Sequence, residues 1–140
     1  KVKFAVYAFS TENRSMVCWS IKKENVKWNH ITAKRLAQIV ANGSTPLAEV
    51  YDKMFPVLQS KRPNIFLTLT DGEPSDPDAV RNMTKLLKGL GISMVAIGLG
   101  SNTIRAVTIA NNLRHLGYEK TMSVSRLKDI PSKVIGILDI

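Results

Sequence analysis

Cysteine occurs once, at Cys18, so the chain can close no disulfide on itself and can build no cysteine-based zinc site. Nothing resembles a secretory leader, with its basic start, apolar middle and small-residue end, and the expected compartment is the reducing cytoplasm. Aromatic residues make up only 6% of the chain, too few for a row of stacking platforms along single-stranded nucleic acid. The longest apolar stretch, Ile92 to Leu99, is interrupted by Ser93 and Gly98. It falls far short of the roughly 18 residues of a membrane span, and no membrane partner is expected. Runs of one charge are missing too: no stretch of bases exceeds two residues, as at Lys22-Lys23, Lys34-Arg35 and Lys61-Arg62.

What remains is 140 residues at 44% hydrophobic composition, enough for one domain with its own core and without staples. Lysine and arginine outnumber the acids 20 to 11, for a net charge of +9. Such a charge favours phosphate-bearing or acidic partners, and nucleic-acid binding is the alternative function it suggests, but the scattered bases read better as a solvated surface. The acids are more informative. Asp71, Glu73, Asp76 and Asp78 fall within one short segment of a basic chain, where they either cap a helix and make a turn or gather at a cation.

Val2 to Ser10 is rich in β-branched and aromatic residues and reads as a buried strand, and Ser15 to Lys22 follows so closely that an antiparallel hairpin is expected. Asn29 can cap a helix through Ala41. Thr45-Pro46 signals a second helix, with threonine as N-cap and proline at the first helical position, running to about Leu58. From there strands at Ile65 to Thr70, Ser93 to Leu99 and Thr121 to Val124 alternate with helices at Asp76 to Lys88, Thr103 to Leu116 and from Asp129 onward. This alternation predicts a doubly wound α/β domain with a mostly parallel sheet, helices on both faces and one antiparallel edge strand.

In open sheets of this kind ligands bind beyond the carboxyl ends of the strands. Asp71 directly follows the strand ending at Thr70, and Gly72 lets the backbone turn away from it. Thr45 opens a neighbouring helix. A carboxylate and a hydroxyl suit a hard cation such as magnesium, although Thr45 can equally be a plain N-cap and Asp71 the start of an Asp-Gly turn.

The segment GSTPLAEVYDKM, then TDGEPSD after a β run, then GISMVAIGLG, resembles the von Willebrand factor A-like domain. FAVYAFS and SMVCWSI are similar to that family's second and third strands. The resemblance spans nearly the whole chain, with four segments in the family's order. It implies a metal-ion-dependent adhesion site for Mg2+ or Mn2+, built in the family from a DxSxS motif after the first strand, a threonine in a G-x-T loop and the aspartate of a D-G turn. The threonine and aspartate correspond to Thr45 and Asp71, with Ser44, Gly72 and Glu73 beside them toward a partner.

No DxSxS occurs in the chain, and about 35 residues separate Ser10 from Thr45, an interval that fits the family's second strand and not its first. With Lys1 in place of methionine, the expectation is a piece of a longer protein that lacks the family's central first strand and the helix after it, able to dimerise through exposed sheet edges. The implied function is a non-enzymatic interaction module that holds a partner's carboxylate through Mg2+ once upstream residues complete the site. The metal is expected to bind weakly or not at all to these residues alone. The AIGLG strand is most similar to bacterial cobaltochelatase subunits, which implies an accessory role beside an AAA+ ATPase. GLGSN at residues 98 to 102 reads as a strand-to-helix turn, His30 and His115 as helix-surface or cap residues, and Cys18, Trp19 and Trp28 as packing residues. No catalytic constellation is visible.

Overall fold

A computed structural model describes residues 3–13, 15–25, 27 and 45–138. The expected helix from Asn29 to Ala41, together with His30, Trp28 and Ser44, lies outside the described residues, as does the side chain of Trp19.

Strands β1 (Val6–Glu12) and β2 (Ser15–Lys22) form an antiparallel hairpin. Asn13 takes a left-handed φ of 50° at its turn, a conformation that asparagine tolerates better than most residues. β1 begins four residues later than the composition predicts and ends two later. Its ladder reaches only as far as its partner does, from Glu12 opposite Ser15 to Val6 opposite Lys22. Phe9 and Met16 pack from one face of the hairpin onto the main core. At its far end the Lys22 ammonium is buried with no carboxylate partner among the described residues; it donates to the Phe4 and Lys23 carbonyls at 2.6 and 3.1 Å and lies 4.1 Å from the Phe4 ring centre.

Helix α1 (Leu47–Lys61) corrects two expectations. Pro46, not Thr45, holds the N-cap position, and no side chain caps the helix. Thr45 is drawn instead into a parallel bridge with Pro74, and its carbonyl accepts from the amides of Leu47 and Ser75, both at 3.0 Å. The helix also continues past Leu58 to Lys61, despite Pro56. A single lost backbone bond at Pro56 is outweighed by burial of Leu47, Val50, Tyr51, Met54 and Leu58 along one stripe. Arg62, left-handed at φ 43°, then ends it by donating to the Leu58 carbonyl.

Strands β3 (Ile65–Thr70), β4 (Ser93–Leu99) and β5 (Lys120–Val124) form a parallel sheet in that order. Helices α2 (Pro77–Gly89) and α3 (Thr103–Arg114) connect them, and a 3-10 turn at Leu127–Asp129 leads into α4 (Ile130–Leu138). Asp76 caps α2 as expected, accepting from the Ala79 amide at 3.1 Å. Asp76→Ala is expected to lower the unfolding free energy by about 1 kcal/mol, read as a shifted denaturant midpoint at unchanged slope. α3 stops at Arg114, two residues before Leu116, and Gly117 turns the chain at φ 92°.

Strand alternation divides the interior. Met94 and Ala96 pack with α1, α2 and α3 around Tyr51, Val80, Leu87, Ile109 and Leu113. Val95 and Ile97 face the opposite way and pack with Val124, Ile130, Val134 and Ile137 beneath α4. Strands taken in sequential order place their connecting helices on one face, so among the described residues the terminal helix is the one that reaches the other. The fold is thus α/β, with helices on both faces of a parallel sheet. The antiparallel part is larger than a single edge strand: β1 and β2 make a sheet of their own, and among the described residues no ladder joins it to β3–β5. No helix among the described residues is long and apolar enough to cross a membrane.

Candidate functional site

β3 delivers Asp71 to the carboxyl end of the sheet. The buried Thr70 hydroxyl closes the turn behind it, donating to the Gly72 carbonyl at 3.1 Å and accepting from the Gly72 amide at 3.3 Å. Asp71 itself is exposed. Thr45 arrives from the other side, held against residues 74 and 75 by its bridge to Pro74 and by the Ser75 amide and hydroxyl, which bond its carbonyl at 3.0 and 3.3 Å. The two loops touch at Gly72, where an added Cβ would lie 2.6 Å from Thr45 Oγ1. Any larger residue would displace the threonine hydroxyl, so glycine is required here by close approach. Thr45 and Asp71, distant in sequence, therefore stand in adjoining loops, while Ser44 lies outside the described residues.

The acidic segment disperses. Asp76 caps α2, Asp78 pairs with Arg81 at 2.9 Å, and Glu73 accepts from Asn112 Nδ2 at 2.6 Å, tying its loop to α3. Asp71 is left as the carboxylate of the four with no partner among the described residues. The four do not gather at one cation, because three are committed to neighbouring elements. No group of three or more His, Cys, Asp or Glu among the described residues is placed to hold a metal ion. Thr45 and Asp71 offer two hard oxygen donors, which fit part of a magnesium shell and need further ligands to complete it.

A second feature was not legible as a site in the sequence. The ends of all three parallel strands open onto a cleft of about 460 Å³, lined by Asp71, by the loop from Leu99 through Ser101 with Arg105, and by Val124 through Leu127. Gly100 belongs to its lining, and Gly98 precedes it in β4. A Cβ at Gly98 would lie 2.8 Å from the Ala110 amide nitrogen, and one at Gly100 would overlap the Ala106 amide nitrogen and sit 2.7 Å from its Cα. The loop at residues 98–102 is thus more than a turn: its glycines let β4 and α3 meet backbone to backbone. Asn102 caps α3 by accepting from the Arg105 amide at 2.8 Å.

The remaining candidates are quiet. Cys18 is half-buried; burial pushes its thiol above the ordinary value and the Lys53 charge opposes this only in part, so the thiol stays protonated at neutral pH. His115 is exposed at the end of α3, where its carbonyl accepts from Arg81 Nε at 3.1 Å. The chain matches no family model, no curated protein and no solved structure.

Proposed function

We propose that the chain is a non-enzymatic, cytoplasmic protein-interaction module similar to von Willebrand factor A-like domains, in which Thr45 and Asp71 supply part of a divalent-cation site that holds an acidic group of a partner protein. The observation that supports this reading is the contact of the two loops at Gly72, where Thr45 Oγ1 stands 2.6 Å from the place a Cβ would take, next in the chain to Asp71, whose carboxylate has no partner among the described residues. A bound Mg2+ or Mn2+ would supply a positive charge with an open coordination position for the partner's carboxylate. The ladder-free division between β1–β2 and β3–β5 supports the same reading, since a central strand from outside these residues would join the two sheets. Further oxygen ligands would arrive with that strand. An accessory role beside an AAA+ ATPase, as in cobaltochelatase-like assemblies, is the partner class we favour, and pairing of two copies through sheet edges follows from the same open ladders.

Titration with Mn2+, followed by NMR line broadening, tests the site. The amide signals of Thr45, Asp71 and Gly72 are expected to broaden before all others, at millimolar metal, and Asp71→Asn is expected to abolish the effect. Broadening centred elsewhere, or unchanged by Asp71→Asn and Thr45→Val, overturns the assignment. Sub-millimolar, Asp71-dependent affinity would instead show that the site needs no upstream ligands.

A further inference from the structure

The cleft at the strand ends carries a charge pattern that the cation reading does not use. Arg105 from the first turn of α3 and Arg126 beyond β5 both line it, opposed by Asp71 in the lining and by Asp129, which pairs with Arg126. Arg126 spends its Nε on Asp129 at 3.1 Å, which leaves its terminal nitrogens free of described partners, and Arg105 pairs with no described acid. Ser101 and Ser125 add hydroxyls with no partner among the described residues. We propose that this cleft binds a small phosphate-bearing molecule, gripped by the Arg105 and Arg126 guanidinium groups and by the Ser101 and Ser125 hydroxyls, with no metal ion required.

Four observations support this occupant. Guanidinium groups present paired donors in a fixed plane, the geometry that matches phosphate oxygens. The volume, about 460 Å³, lies within the range of roughly 300 to 1,000 Å³ for small-molecule sites, and exceeds what a lone carboxylate side chain would fill. Among the described residues no aromatic side chain lines the cleft, so a nucleic-acid strand would find no stacking surface there. Gly98 and Gly100 hold the loop against α3 with almost no clearance, so the backbone that carries Ser101 and Arg105 is fixed before a ligand arrives, and the ordering cost of binding falls on their exposed side chains. Thr45 is absent from the lining, and Asp71 is the residue that this cleft shares with the cation reading. Asp71 is the group that works against the ligand, and its removal has a definite sign.

Calorimetry with inorganic pyrophosphate in the presence of a chelator tests the proposal. Binding is expected without metal. Arg105→Gln and Arg126→Gln are each expected to weaken it by about tenfold, Asp71→Asn to tighten it, and Thr45→Val to leave it unchanged. Both arginines are exposed, so the variants are expected to unfold at the wild-type temperature, which circular dichroism checks. Absence of binding, or binding indifferent to both arginine substitutions, overturns the proposal. So does binding that appears only with Mg2+ and is lost in Asp71→Asn, which would place the anion on the cation site instead. Binding of single-stranded DNA with a steep salt dependence, in the absence of pyrophosphate binding, likewise overturns it in favour of a nucleic-acid surface.

Discussion

Replacing Tyr51 with phenylalanine is expected to lower the unfolding free energy by about 2 kcal/mol, from the loss of two buried hydrogen bonds. The Tyr51 hydroxyl stands between Thr68 Oγ1 at 2.6 Å and the Tyr118 hydroxyl at 2.5 Å, all three in the core between α1, β3 and the approach to β5. Deleting it removes little volume but takes one bond from each of two buried oxygens, which are left to each other. Removing all three polar groups together, in Tyr51→Phe, Thr68→Val and Tyr118→Phe, is expected to cost less than the sum of the single losses, because no orphan remains. Denaturant unfolding of the set checks both statements, and a loss well under 1 kcal/mol for Tyr51→Phe would show that Thr68 and Tyr118 re-pair.

The same cluster sets an alkaline limit. Burial pushes the Tyr118 phenol up from 10.0 to about 12 and raises Tyr51 well above its ordinary value, with the neighbouring phenol adding to the shift in Tyr51. In the unfolded chain both phenols ionise near pH 10, while the folded protein keeps its protons longer. The folded state therefore binds more protons above pH 10, and stability falls as pH rises. The stabilisation is complete below pH 10 and is expected to be lost from there through about pH 12. For Tyr118 alone the gap corresponds to about 3 kcal/mol. Phenolate absorbance and fluorescence followed together through this window are expected to change in one cooperative step, since ionisation requires the core to open.

Gly100→Ala carries the second large effect. The new methyl group would collide with the Ala106 backbone, which belongs to α3 and cannot rotate aside as a flexible side chain would. The expected loss is about 3 kcal/mol, at the upper end of overpacking costs, accompanied by weaker pyrophosphate binding as Ser101 and Arg105 move. Gly136→Ala is the matched control. It lies inside α4 with nothing within 4 Å of the added Cβ, and is expected to stabilise the protein by roughly 0.5 to 1 kcal/mol. A small effect at Gly100 would mean that β4 and α3 separate at little cost.

How much of this could be read beforehand depends on how local each cause is. The three parallel strands and the Asp76 cap rest on residues within a few positions of one another, and they fall where composition and capping chemistry place them, whereas α3 ends at a His115 cap ahead of the expected stop at Gly117. Thr45 failed as an N-cap because its strongest partner is remote. The bridge to Pro74 sets its backbone, and nothing within the Thr45-Pro46 pair announces that contact. The acidic segment misled in a related way: Glu73 is taken up by Asn112 on α3, a pairing across 39 positions.

Sequence alone determined the α/β class, the order of its elements and the placing of Asp71 at a strand end, because hydrophobic period, turn residues and caps act over short range. Only the tertiary structure decided which distant groups share space: that Thr45 lies against Gly72, that Tyr51 bridges Thr68 and Tyr118, and that Arg105 and Arg126 face one cleft. The reason is geometric. Parallel strands return every crossover to the same end of the sheet, so loops far apart in the chain become neighbours there, and local patterns hold no record of which side chains will meet.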